Sequence, residues 1–164
     1  MSHIVEAKTK ITYPNVREFL HHFRQGGPSA VAQLPFIALL RQAVMMVARE
    51  QGGSVEAYYL DYAHNRHATN TGLALFLPRQ ANRSRSQALE RGLGLSIDET
   101  TGILTFIGDP YRVEELYEAM QRQIVQKYAA LAYAASMRLE HYQHIAVRAV
   151  QEHLVVSGEI YAES

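Results

Sequence analysis

One apolar stripe in the second half of the chain constrains the fold more than any other feature of the sequence. Because an α-helix completes a turn every 3.6 residues, apolar side chains at spacings of three and four share one face of a helix. The stripe with this spacing comprises Val113, Leu116, Met120, Ile124, Tyr128, Leu131, Ala135 and Leu139. It therefore predicts one long helix whose continuous apolar face packs against something large.

The start of this helix carries several independent signals. Asp109 is suited to cap a helix N-terminus. Pro110 follows at the first helical position, where proline is favoured because an amide there would have no partner within the helix. Glu114, Glu115 and Glu118 then fall in the opening turns, where the helix dipole favours negative charge. We therefore expect the helix to begin at Pro110.

Two interpretations fit the residues after the stripe. Apolar side chains alternate with others over residues 145–150, as in a strand, whereas Tyr142, Ile145 and Ala149 also satisfy the helical period. We favour a strand over residues 145–150. A turn at Ser157-Gly158 would then close a C-terminal hairpin.

The first part of the chain combines strand and helix patterns. Alternation of apolar and charged residues predicts a strand over residues 4–11. Helical spacing follows over residues 16–23 and 36–50, with a break at Gln25-Gly-Gly-Pro28 and a stop at Gly52-Gly53.

Short apolar or tyrosine-rich runs predict four further strands. They cover residues 55–62, 72–77, 93–98 and 103–107, with a polar connection over residues 63–71. We predict a single α+β domain over residues 1–164, in which a mostly antiparallel sheet carries helices on one face. A ferredoxin-like arrangement is one candidate for it.

Composition excludes several kinds of chemistry. The chain has no cysteine, which excludes a disulfide framework, a thiolate nucleophile and a cysteine-based zinc site. Its 16 basic and 16 acidic side chains cancel, so no global attraction for nucleic acid or an anionic membrane is expected. No signal peptide or membrane span is predicted, and the expected location is cytoplasmic.

Five short segments occur in an order that resembles a known family. They are Met1-Ser-His-Ile, Thr71-Gly-Leu-Ala-Leu-Phe-Leu-Pro78, Asp98-Glu-Thr-Thr-Gly-Ile-Leu104, Gln126-Lys-Tyr-Ala129 and Ser157-Gly-Glu-Ile160. In this order they are similar to the bacterial relatives of the hypothetical chloroplast reading frame 35 family, a small domain of unknown function. The resemblance implies a small α+β protein with an assembly or adaptor role, and a AAA-type ATPase as a partner. It implies no catalytic residue and no cofactor.

Arginines concentrate in one segment of the otherwise neutral chain. Arg79, Arg83, Arg85 and Arg91 lie in a stretch with little apolar content, which predicts an exposed loop. Guanidinium groups suit phosphate, carboxylate and nucleic-acid backbone. No aromatic residue lies between Arg79 and Arg91 to stack on bases. A solvated loop without a ligand is the other interpretation.

Paired histidines are the only metal-ligating pattern. His141 and His144 lie three residues apart beside Glu140, and His64 and His67 have the same spacing. Two imidazoles on one helix face could bind zinc if a third ligand came from elsewhere. The His-Glu-x-x-His pattern of zinc proteases is absent, so we favour solvated histidines.

These observations favour a non-enzymatic protein that binds other proteins or copies of itself, without a cofactor. The tyrosine- and alanine-rich long helix and the lack of any catalytic motif support this interpretation. The first alternative is binding of nucleic acid or a phosphate ligand through the arginines from Arg79 to Arg91. The second, with less support, is a histidine-based metal-dependent enzyme.

Overall fold

The fold is α+β, as predicted, and is built on an antiparallel sheet. The computed structural model describes residues 3–79 and 87–151, with side chains described as far as residue 140. In chain order the elements are β1 (Val5–Thr12), α1 (Val16–Val31), α2 (Pro35–Gln51), β2 (Ser54–Glu56), β3 (Tyr58–Leu60), β4 (Arg66–Ala68), β5 (Leu73–Leu77), β6 (Leu89–Ile97), β7 (Ile103–Gly108) and α3 (Glu114–Gln151).

Five strands form the main sheet in the order β1-β7-β6-β5-β2, and β3 and β4 form a separate hairpin. Every pairing among the described strands is antiparallel. Two helices follow the first strand, and six strands then precede α3. This order differs from the βαββαβ order of a ferredoxin-like fold.

The core lies on one face of the sheet. Leu93, Leu95 and Ile97 alternate along β6 and are almost fully buried, together with the matching leucines of β5. From α2 and α3, residues such as Leu40 and Ile124 join the same cluster. Burial of each such side chain contributes about 1.5–3 kcal/mol, so this face holds the helices against the sheet.

The β3–β4 hairpin packs against β6 where Gly94 provides room. A Cβ atom on Gly94 would lie 2.9 Å from the ring of Tyr59 and 2.9 Å from the carbonyl oxygen of Ile107. The side chain of Thr69 would be 3.1 Å away. Only glycine therefore allows so close an approach of the hairpin.

The predicted break in the first helix is a kink. Gly27 has φ 67° and ψ −155° inside α1, directly before Pro28. The second helical prediction matches α2, which is capped after Gln51 by Gly52 in the left-handed conformation. Glycine adopts this conformation without a steric penalty, which explains why Gly52 ends the helix.

Two predictions about the central strands are wrong. The segment 55–62 forms two strands, because β2 pairs with β5 whereas β3 pairs with β4. The change of partner falls at Ala57, whose carbonyl accepts a hydrogen bond from the amide of Thr69. The connection over residues 63–71 therefore contains β4.

The long helix differs from its prediction at both ends. It begins at Glu114, because the carboxylate of Asp109 accepts the amide of Tyr111 in a separate turn. It continues to Gln151, so the predicted strand over residues 145–150 is wrong. No glycine or proline occurs between Val113 and Gln151 to end a helix. The predicted turn at Ser157-Gly158 lies outside the described residues.

The chain divides into two compact units, Met1–Tyr128 and Ala129–Ser164. A window within Val16–Gln51 has a mean hydropathy of 1.6 and is long and apolar enough to cross a membrane. Core helices of soluble proteins pass the same test, and α2 buries Ile37, Leu40 and Val44 in the core.

Candidate anion-binding cavity

A cavity of about 290 Å³ lies where the beginnings of β6 and α3 meet. Its walls come from Arg79 after β5, from residues 87–92 at the start of β6, and from the turn before α3. Small-molecule sites begin at roughly 300 Å³. Because this cavity lies at the lower limit of that range, it has room for a small ligand only.

Three arginines from separate segments line this cavity: Arg79, Arg91 and Arg112. Arg79 and Arg91 belong to the set of four arginines that the sequence predicts as anion ligands. The remaining members of that set, Arg83 and Arg85, lie outside the described residues. The expectation that Arg91 is in an exposed loop is wrong, because Arg91 belongs to β6, where the strand pairs with its neighbours.

Arg91 is held in place by a buried carboxylate. Its Nη1 donates to Oδ2 of Asp109 at 2.7 Å, and the Asp109 side chain is only 1% exposed. The other carboxylate oxygen of Asp109 accepts the amide of Tyr111 at 3.1 Å. The orientation of this guanidinium is thus fixed before any ligand arrives.

Arg112 is positioned by backbone conformation and by an aromatic ring. It has φ 65°, a left-handed conformation that costs a residue with a Cβ about 1–3 kcal/mol. Its guanidinium carbon lies 5.1 Å from the centre of the Tyr111 ring, and that of Arg91 lies 5.7 Å from the same ring. Tyr111 therefore helps to gather both cations at the cavity.

Tyr117 contributes a buried polar group to the cavity wall. The residue is 3% exposed, and its hydroxyl has no hydrogen-bond partner among the described residues. Burial is the main reason that the pKa of Tyr117 is raised, with smaller contributions from Tyr59 and Asp109. The phenol therefore stays neutral and keeps a proton that it can donate.

The electrostatic balance of the cavity favours an anion. Among the described residues, its charged side chains are those of three arginines and of two acidic residues, Glu90 and Asp109. Since Asp109 already neutralises Arg91, one positive charge is in excess. Guanidinium groups bind carboxylates and phosphates through paired hydrogen bonds. A small anion would complete the charge balance.

The sequence did not identify Asp109, Arg112 or Tyr117 as members of this site. Asp109 was assigned to a helix cap, and Arg112 is separated from the other arginines along the chain. Tyr117 lies on the apolar side of a helix, where a tyrosine is an ordinary core residue. The one sequence feature that points to these residues as part of the cavity is the positive charge of Arg112 close to Pro110.

The predicted histidine sites have different outcomes. Residues 141–144 are helical, but the side chains of His141 and His144 lie outside the described part of the chain. His67 donates to the carboxylate of Asp61 at 2.9 Å and so stabilises a turn. Among the described residues, no group of three or more metal-ligating side chains occurs.

No family model, curated protein or solved structure matches this chain. The resemblance to the reading frame 35 family, with the ATPase partner that it implies, therefore stays a prediction. Any functional conclusion has to come from the residues of the cavity and from the exposed surfaces.

Proposed function

We propose that the protein binds a small anionic ligand in the cavity lined by Arg79, Arg91 and Arg112. The observation that supports this proposal is the meeting of arginines from three segments in one cavity, whose wall also includes Tyr117 with its unpaired buried hydroxyl. An unpaired buried hydroxyl costs about 1–3 kcal/mol, which a hydrogen bond to a ligand would offset. The ligand class is a carboxylate or a phosphate of small size.

The volume of about 290 Å³ favours a small molecule over a nucleic-acid strand. Proteins that bind single-stranded nucleic acid combine an extended basic groove with aromatic side chains on which bases stack, unlike this compact cavity. Of the alternatives drawn from the sequence, the phosphate ligand is therefore the one that the site supports.

The test is calorimetric titration of the full chain with inorganic phosphate and with acetate. We expect saturable binding of one of them, and an affinity about tenfold lower in Arg112→Gln, equivalent to about 1.4 kcal/mol. Arg17→Gln is the matched control, because Arg17 is exposed and lies outside the cavity. Absence of binding by both anions, or equal affinities in Arg112→Gln and the wild type, would refute the proposal.

The variant Tyr117→Phe tests the contribution of the hydroxyl alone, because it removes only that group from the cavity wall. Without ligand, we expect this variant to be as stable as the wild type or up to about 1 kcal/mol more stable, because an unpaired buried polar atom is removed. Its affinity for the anion should fall. Urea denaturation measures the stability, and a clear destabilisation would show that the hydroxyl already has a partner.

Self-association is the second candidate function, and exposed apolar residues on α3 favour it. Tyr133, Met137 and Leu139 are 68%, 36% and 60% exposed. Large exposed apolar residues grouped on one element are typical of interaction sites. Light scattering over a range of concentrations tests this proposal. A monomer at all concentrations would refute it, and Tyr133→Ser with Leu139→Ser should abolish any oligomer that forms.

A further inference from the structure

A second surface, separate in its residues from the anion cavity, lies beside the edge strand β1. It is a groove of about 410 Å³ between β1 and α3. Ile11, Phe106 and Val125 supply the apolar part of its wall, and Gln121 and Gln126 supply amides. A groove of this kind can accept an apolar side chain with polar backbone groups on either side.

The charged residues of the groove are all cationic. Lys8, Lys10 and Arg122 line it, and none of the described residues of its wall is acidic. None of the three takes part in an ion pair within the described residues. Since the whole chain is neutral, this local excess is a property of the groove and not of the overall charge.

The backbone of β1 is also open to a partner. Among the described residues, this strand ends the sheet and pairs only with β7, so the hydrogen-bonding groups on its other side have no described strand beside them. Its register with β7 is continuous from Val5 to Lys8 and is interrupted between Lys8 and Thr12. The continuous part can accept an added strand.

Lysines on an edge strand commonly prevent unwanted pairing between sheets. Each copy of β1 carries Glu6, Lys8 and Lys10 on its exposed face, so a second copy would bring a net positive charge to an edge that is already positive. The same two lysines would attract a strand with carboxylates at matching positions. This charge pattern therefore favours an acidic strand as the partner of β1.

We propose that β1 and the adjoining groove bind an extended acidic peptide from a partner protein. The peptide pairs with Val5–Lys8 of β1 as an additional strand and extends into the groove, where it places an apolar side chain near Ile11 and Phe106. Its carboxylates lie close to Lys8 and Lys10, which share the exposed face of β1. This proposal is independent of the anion cavity, because no residue lines both sites.

Fluorescence anisotropy of the full chain with a labelled peptide of alternating glutamate and valine tests the proposal. We expect saturable binding that weakens with salt. Removing both lysines in the double variant Lys8→Gln with Lys10→Gln should reduce the affinity about fivefold to tenfold, because two ion pairs with the peptide are lost. Arg17→Gln is again the control for loss of an exposed cation and should bind as the wild type does.

Two further peptides separate charge from strand addition. A peptide with glutamine in place of glutamate should bind much more weakly, because its side chains lack the negative charge. A glutamate peptide methylated on alternate backbone nitrogens should also bind weakly, because it cannot pair with β1. Equal affinity of either peptide, absence of saturable binding, or binding only to anionic lipid vesicles would overturn the proposal.

Discussion

The ion pair between Arg91 and Asp109 joins two residues with unequal access to water. The Asp109 side chain is 1% exposed, whereas that of Arg91 is 26% exposed. Loss of the arginine would leave a buried carboxylate with the Tyr111 amide as its only hydrogen-bond donor among the described residues and no countercharge paired with it. Loss of the aspartate would leave a guanidinium that can still reach water.

This asymmetry predicts different effects of the two substitutions. Arg91→Met should lower the free energy of unfolding by about 3–5 kcal/mol. Asp109→Asn should lower it by only about 1–3 kcal/mol, because asparagine retains an oxygen for the Tyr111 amide. Urea denaturation of both variants at neutral pH measures the difference. The double variant should lose less stability than the two losses added together, and equal losses in the single variants would contradict the prediction.

At the scale of single residues, the sequence leads to part of the candidate site and misses the rest, and anion binding itself stays a prediction. Arg79 and Arg91 were selected as anion ligands on charge alone, and they line one cavity. The pairing of Arg91 with Asp109 was missed, because the two residues are 18 positions apart and meet only in the folded chain. The Asp-Pro dipeptide also satisfied a local interpretation as a helix cap, which concealed its tertiary role.

At the scale of elements, the β3–β4 hairpin depends on one carboxylate in its turn. Asp61 accepts hydrogen bonds from the amides of Ala63 and Asn65, both at 2.9 Å, and from His67 at 2.9 Å. The bond from His67 is the largest reason that the pKa of Asp61 falls from 3.8 to about 2, followed by that from the Asn65 amide.

The lowered pKa predicts how stability depends on pH. The folded state releases the Asp61 proton more readily than the unfolded state, so this carboxylate stabilises the fold above pH 3.8 and loses that effect as pH falls toward about 2. Asp61→Asn should therefore be less stable at neutral pH and should lose less stability over this acid range. Thermal unfolding followed by circular dichroism measures both quantities. Glu99→Gln, at an exposed turn, is the control, and an unchanged pH dependence in Asp61→Asn would contradict the prediction.

The contact between this hairpin and β6 provides another prediction. Gly94→Ala would place a methyl group 2.9 Å from both the Ile107 carbonyl oxygen and the Tyr59 ring. Overpacking of this kind costs about 1–3 kcal/mol, which a urea midpoint measures. Gly27→Ala is a useful comparison, because its Cβ would meet no atom of a non-neighbouring residue within 4 Å, and any loss would come from the backbone conformation with φ 67° and ψ −155°, which is nearly restricted to glycine. A neutral Gly94→Ala would show that the hairpin can move away from β6.

Elements with strong local signals were predicted well. The bounds of α2 differ from the prediction by one residue at each end, because an apolar period coincides with Pro35 and Gly52 at its limits. β4 was missed, because all of its residues are exposed and only pairing with β3 defines it. The helix over residues 145–150 was mistaken for a strand, because short apolar runs satisfy both periods.

At the scale of the whole molecule, a neutral total charge coexists with two cationic sites. The anion cavity has one positive charge in excess, and the groove beside β1 has three cations without an acidic residue. Composition excludes a generally basic protein but not these local concentrations. Steering of ligands by the whole molecule is therefore weak, and selectivity has to come from the individual sites.

The order of the sheet predicts how protection against hydrogen exchange is distributed. β6 lies between two strands and buries Leu93, Leu95 and Ile97, whereas β1 has a neighbour on one side only. Amides of β6 should therefore exchange through larger opening events and more slowly than those of β1, as measured by mass spectrometry of deuterated peptides.

Binding of the acidic peptide should change this distribution at one edge alone. Protection should rise in β1, and it should stay the same in β2, which is the opposite edge of the sheet. Equal protection of β1 and β6 without peptide would contradict the view that the edge is open. A rise in both edges would indicate general stabilisation instead of strand addition, since a strand paired with β1 does not contact β2.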